Sequence, residues 1–202
     1  MTFGIRTASV AIVITTGMFV AAATSGQQVA HAADAAPAHY TLDPAKSTFE
    51  YQFTQAGALN KGKFTKYTVT LDFSPDNLAT SKLDVVVDMN SLDTGDKERD
   101  DTLKSADLFS AAKFPQSRFT STQITKTANG YDAVGKLTIR GVSRDTHVPF
   151  SFKTADGQGN LLGKTTIKRL DFGVGQGDWK ATDQVGNDVA VSYSLRLVPA
   201  AH

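Results

Sequence analysis

The feature that most constrains this chain is a two-residue alternation of apolar and polar side chains that recurs along most of its length. Phe49, Tyr51 and Phe53 alternate with Glu50, Gln52 and Thr54. Tyr67, Val69, Leu71 and Phe73 alternate with Thr68, Thr70 and Asp72, and Leu83, Val85, Val87 and Met89 keep the same period. The pattern returns over residues 131–137, in Val148, Phe150 and Phe152, and in Val189, Val191, Tyr193, Leu195 and Leu197. Successive strand side chains point to opposite faces, so this period describes strands with one buried face, as in an antiparallel sheet. Residues 118–124 and 161–170 are weaker segments of the same kind, which makes eight strands. Phe64 is out of phase with Tyr67, which predicts a bulge or bend between them. Asn129-Gly130 is a hairpin signal, residues 156–160 form another turn, and Pro75-Asp76-Asn77 marks a loop.

One stretch breaks the alternation. Residues 91–115 crowd acids at their start and bring Leu103, Ala106 and Leu108 or Phe109 near helical spacing, which predicts one or two short helices around residues 94–110. The acids Asp93, Asp96, Glu98, Asp100 and Asp101 fit a helix start better than a calcium loop, whose required glycine and final glutamate are absent. An all-β chain of eight antiparallel strands with one helical insertion points to a closed barrel or a sandwich. Closure removes unpaired edges, and eight strands leave an interior that side chains fill or that holds one small ligand.

The N-terminus reads differently. Among residues 1–32 only Arg6 is charged, residues 8–23 are apolar or small, and Ala30-His31-Ala32 follows. That order describes a secretory signal peptide cleaved after Ala32, or after Ala33. The apolar run is about 16 residues, short of the roughly 20 that cross a bilayer. Residues 33–39 are expected to be a disordered leader and residues 40–198 the folded domain, in a periplasmic or secreted protein. The chain has no cysteine, which excludes disulfides, Cys-ligated metals and thiol catalysis. With Arg6 set aside, 20 basic residues face 20 acidic ones, so nucleic acid is a poor partner.

No motif assembles a reaction. Gly163-Lys164-Thr165 lacks the first glycine of a phosphate loop, and Gly173-Val174-Gly175-Gln176-Gly177 has the wrong spacing for a dinucleotide loop; it reads as a loop that needs open backbone angles. His39 and His147 do not form a metal-ligand pair, and no G-x-S-x-G elbow is present. His147 beside Asp145 is better explained as a half-exposed side chain at a strand edge than as a catalytic pair. No catalytic residue, metal site or cofactor is expected.

Several stretches together carry a resemblance: residues 40–44 (YTLDP), 62–64 (GKF), 88–95 (DMNSLDTG), the Arg99-Asp100 pair, 113–115 (KFP) leading into 119–121 (FTS), 135–142 (GKLTIRGV) and 171–174 (DFGV). In this order the chain resembles the YceI-like family of exported lipid- or polyisoprenoid-binding proteins. Residues 55–57 and 173–179 are similar to the branch also found fused to cytochrome b561-type membrane domains. Many members carry a histidine in the first strand, roughly where Phe53 or Thr54 stands here, so no role for it carries over. The resemblance implies an eight-stranded, lipocalin-like antiparallel barrel that holds a long isoprenoid or quinone-like chain for transport, storage or sequestration. Transient contact with a membrane or membrane protein is compatible with such a carrier. Candidate lining residues are Phe49, Tyr51, Phe53, Phe64, Val85, Phe119, Phe150, Phe152, Phe172, Trp179 and Tyr193. The alternative is an exported enzyme on the same barrel acting on a small apolar or amide substrate, which needs polar groups such as Asp88, Arg99, Asp100 and Arg140 to converge. Under the carrier reading Arg99 is expected to pair with a barrel carboxylate and serve the fold.

Overall fold

The computed structural model describes residues 1–2 and 36–200; the expected cleavage site and most of the signal peptide lie outside them. Ten strands run β1 (Ala38–Gln55), β2 (Ala58–Phe64), β3 (Tyr67–Phe73), β4 (Lys82–Asp88), β5 (Leu92–Asp93), β6 (Gln116–Thr127), β7 (Gly130–Ile139), β8 (Val142–Ala155), β9 (Gln158–Lys168) and β10 (Asp188–Pro199). One α-helix, α1 (Lys97–Lys104), interrupts them. Neighbours pair antiparallel in the order β10-β9-β8-β7-β6-β4-β3-β1, and β1 pairs again with β10, so the sheet closes.

The ten segments make eight staves. β2 and β3 are one bent strand, paired to the two halves of β1, and β4 and β5 are another. Thr65 N–H donates to the Ser91 carbonyl and Asp88 N–H to the Lys66 carbonyl, so the ladder carries through the bend. Two residues intervene between Phe64 and Tyr67, which is why the inward phase shifts there. A second phase change, not legible beforehand, lies in β1. Residues 44–47 bulge between the Asp43–Arg196 and Thr48–Ser194 pairs, so inward positions move from Tyr40 and Leu42 to Phe49, Tyr51 and Phe53. Pro44 has no N–H to give a ladder, and within the bulge the Ser47 hydroxyl accepts from Arg196 N–H (2.9 Å), which keeps that backbone donor satisfied.

One expectation is corrected. The leader does not extend through residue 39: Ala38 and His39 already pair with Phe73 and Asp72, and His39 Nδ1 is hydrogen-bonded to the Asp72 carboxylate. The short helix expected around residues 94–110 is α1. Asp96 caps it by accepting from Arg99 N–H (3.1 Å), and it ends at Lys104. Residues three apart share a helix face, yet Leu108 packs with Phe172 and Val174 while Ala111 packs with Tyr51, Phe53 and Leu92. Only a coiled segment, with Ser110 at φ +49°, serves both clusters.

The two barrel ends are packed differently. At the end carrying Tyr40, Phe73, Tyr131, Phe150 and Phe152, rings meet across the interior. Phe73 contacts Tyr131 and Phe152 edge-on, with centroids 4.9 and 4.8 Å apart, and Tyr131 stacks on Phe150 at 5.5 Å. Leu71, Ala133 and Leu197 are fully buried there. The opposite end is covered by α1, the coil after it and residues 169–187, which contribute Leu108, Phe172 and Val174.

Candidate binding cavities

Below that cover the barrel is hollow. A cavity of about 120 Å³ is walled by the inward faces of β4, β6, β7, β8, β9 and β10 together with Phe49 and Phe64, and the surface facing it is apolar throughout. Of the candidate residues, Phe49, Phe64, Val85, Phe119 and Tyr193 line it. So do aliphatic residues that were not singled out, among them Leu83, Val87, Leu137, Ile167 and Val191. Their signal was present in the same alternation, but choosing aromatic residues passed over them. Tyr193 is fixed from both sides: its hydroxyl donates to the Pro149 carbonyl (2.6 Å), and its ring lies over Gly163, where a Cβ would come within 2.5 Å of it. Burial pushes that hydroxyl's pKa up, and nearby Asp132 adds to the shift.

A second cavity of about 60 Å³ is lined by Tyr51, Phe53, Gln55, Arg99, Leu103, Phe109, Arg169, Trp179 and Val189, among others. Tyr51, Phe53 and Trp179 were candidates. The others come largely from α1, the coil and the 169–187 loop, where no periodicity marks an inward face. Same-face residues step from Phe53 and Tyr51 to Phe49 on β1, and from Val189 to Val191 on β10. The small cavity therefore follows the large one along the strands, toward the covered end. The contact between Tyr51 and Phe64, with centroids 5.0 Å apart, stands between them. Phe150, Phe152 and Phe172 line neither cavity: the first two lie in the ring-packed end and Phe172 in the cover.

Arg169 holds the cover loop. It is 5% exposed, and its guanidinium donates to the carbonyls of Gly186 (3.0 Å), Val174 (2.8 Å) and Val185 (2.6 Å). Burial without a carboxylate lowers its pKa. The glycines of residues 173–177 have the open angles expected of them, with φ of +67°, +113° and +54°. A Cβ on Gly175 would strike Arg169 Nη1 at 1.9 Å.

The polar groups named for an enzyme do not converge. Asp88 accepts from Asn90 N–H and faces Lys66, Asp100 accepts from the Thr94 N–H and hydroxyl, and Arg140 donates to the Ala106 carbonyl. Arg99 alone of the four lines a cavity. It does not pair with a barrel carboxylate: Asp96, one helical turn back, lies 3.9 Å away, and Asp93 and Asp100 are occupied elsewhere. His147 pairs with Asp132 (2.6 Å), while Asp145 pairs with Lys136.

A closed eight-stranded antiparallel barrel, solid at one end and hollow under a cover at the other, defines a lipocalin-like β-barrel. The YceI-like domain model matches residues 40–197, and the chain belongs to that family. A UPF0312 protein of Vibrio parahaemolyticus is 31% identical over 168 residues, 79% of this chain and 86% of that protein. One of Yersinia enterocolitica is 39% identical over 99 residues, a match spanning half of that relative and 49% of this chain. Among solved structures, BcnA of Burkholderia cenocepacia superposes with a TM-score of 0.74 at 32% identity, covering 77% of this chain and 98% of that one. A polyisoprenoid-binding domain from Saccharophagus degradans shares the fold, with a TM-score of 0.59 at 17% identity, covering 81% and 99%.

Proposed function

We propose that this protein is an exported carrier that holds a long apolar chain, of polyisoprenoid or quinone-tail type, inside the hollow half of its barrel, for transport, storage or sequestration. The observation that carries the reading is the larger cavity and the apolar surface its walls present to it. Protein interiors are close-packed, and an empty apolar void of this size costs about 3 kcal/mol. A chain that fills it recovers that loss. One water-sized group occupies at least about 10–15 Å³, so the cavity as it stands admits roughly 8–12 carbon-sized groups, about two isoprene units, and a longer chain is accommodated by displacing side chains. At about 0.8 kcal/mol per methylene, their burial is worth roughly 6–10 kcal/mol before the costs of association. The polyisoprenoid-binding domain of Saccharophagus degradans offers a precedent for such a ligand on this fold. The polar side chains that line the smaller cavity, Tyr51, Gln55, Arg99, Thr102 and Arg169, include no carboxylate or imidazole to act as a base, which favours a carrier over an enzyme.

The test is to purify the protein without detergent, extract it with organic solvent and analyse the extract by mass spectrometry. An isoprenoid lipid at near-stoichiometric yield is expected. Recovery of no apolar chain, together with failure to bind added farnesyl compounds, overturns the reading. N-terminal sequencing of the protein from the exported fraction is expected to begin at Ala33 or Asp34; an intact Met1 there refutes cleavage.

A further inference from the structure

We propose that the smaller cavity seats the oxygen-bearing end of the carried chain, with the Tyr51 hydroxyl donating a hydrogen bond to an acceptor oxygen in the space that Arg169 and Arg99 also line. This rests on the carrier reading above and adds to it the chemistry of the ligand's end.

The first observation is an orphan donor. Tyr51 is 4% exposed, lines the smaller cavity, and its buried hydroxyl has no hydrogen-bond partner among the described residues. Buried hydroxyls are almost always paired, and one left unmade costs about 1–3 kcal/mol. The contrast with Tyr193, whose hydroxyl is paired to Pro149, is direct. Phenylalanine would fill the same space at Tyr51 without that cost, so the hydroxyl is matched to a group that arrives with the ligand. Its site is shaped around it: Gly62 lies beneath the ring, and a Cβ there would come within 2.4 Å of the hydroxyl oxygen.

The second observation is an uncompensated cation. Arg169 also lines the smaller cavity, and no carboxylate of the described residues is in ion-pair reach of it. Its partners are backbone carbonyls, with Ala181 as a fourth at 3.5 Å. A guanidinium has five donors, so one N–H on Nη1 is left over. The carbonyls hold the group in place but do not neutralise it. Arg99 adds a second positive group to the wall, and no carboxylate lines it. The nearest acids stand outside the lining, Asp100 held by Thr94 and Asp93 by Gly95 N–H and Lys63, and both act on the Tyr51 hydroxyl more strongly than Arg99 does.

Size and order fit the same picture. The smaller cavity has room for about five water-sized groups, enough for a phosphate or a small ester but not for more chain. It adjoins the apolar cavity across a contact of two rings, so a chain passing between them displaces side chains only.

The experiment compares three ligands that share a farnesyl-type chain: the hydrocarbon farnesene, farnesyl acetate and farnesyl monophosphate, each titrated into delipidated wild type and Tyr51→Phe. The variant is expected to weaken acetate relative to farnesene by about 3–10-fold and monophosphate by about 10–100-fold, the ranges of a neutral and a charged hydrogen bond. Loss for the monophosphate alone assigns the site to anionic heads, and loss for the acetate alone to neutral carbonyls; both support the proposal. Equal weakening of all three, or no change in any, overturns it while leaving the carrier reading intact. If wild type binds none of the three, the carrier reading falls and takes this one with it. Should Tyr51→Phe not fold, the ester C=O stretch of farnesyl acetate bound to wild type decides. A shift to lower wavenumber than in hexadecane supports the bond, and an unshifted band overturns it.

Discussion

Adding carbon atoms to the barrel interior should have opposite consequences at its two ends. Ala133 on β7 is fully buried in the ring-packed half and lines no cavity. Val85 on β4 lines the larger cavity. Ala133→Leu adds roughly three carbons to a filled core, which costs about 1–3 kcal/mol. For a domain of this size that lowers Tm by about 2–12 °C. Val85→Phe adds roughly four carbons, more than the first change, into space that admits about 8–12. Their burial offsets part of the void's cost, so the apo protein should keep its Tm or gain up to about 4 °C. Calorimetry of both delipidated variants and titration with a farnesyl ligand give the comparison. Val85→Phe should lose binding with stability kept, and Ala133→Leu should lose stability while the folded fraction still binds. If Val85→Phe is destabilised as much as Ala133→Leu, the interior is solid at both depths and the reasoning is refuted.

Further outcomes follow from single contacts. Arg169→Lys cannot reproduce the fork of bonds to Gly186, Val174 and Val185 and should cost about 3 kcal/mol or more, with faster hydrogen exchange confined first to residues 174–186. Asp96→Ala removes the acceptor for Arg99 N–H and should cost about 1 kcal/mol by chemical denaturation. Gly62→Ala places a methyl against Tyr51 and should perturb the near-ultraviolet tyrosine signal more than the far-ultraviolet strand signal. Asp88 has a lowered pKa, chiefly because Asn90 N–H donates to it, with Lys66 assisting. Its folded value lies below the unfolded one near 4, so its contribution is present above that pH and is lost as pH falls through the folded value. Asp88→Asn should therefore flatten the stability profile below about pH 4 and leave its shape near neutrality unchanged.

The sequence by itself determined the architecture. Period-two alternation marks which segments are strands and which of their faces is buried, because strand geometry ties side-chain direction to position and nothing distant is needed to read it. The phase slip between Phe64 and Tyr67 could be read the same way, as could the helix start at the acids around Asp96. Where the interior is filled was decided only by tertiary structure. Phe150 on β8 and Phe49 on β1 belong to equally regular alternations, yet one is core and the other cavity wall. The difference lies in what stands opposite. Near Phe150 the facing strands supply Phe73, whose ring reaches across to Phe150 and to Tyr131, the residue paired with Phe150 on the neighbouring strand. Around the cavity they supply Val85, Val87 and Leu137, side chains too short to close the gap. The smaller cavity was beyond sequence reasoning for a second reason. Arg169 and Arg99 sit in a loop end and a short helix, where no repeat assigns a direction. Their convergence on Tyr51 comes from two covering segments, α1 and residues 169–187, which four barrel strands separate in the chain and the fold brings together over one barrel mouth.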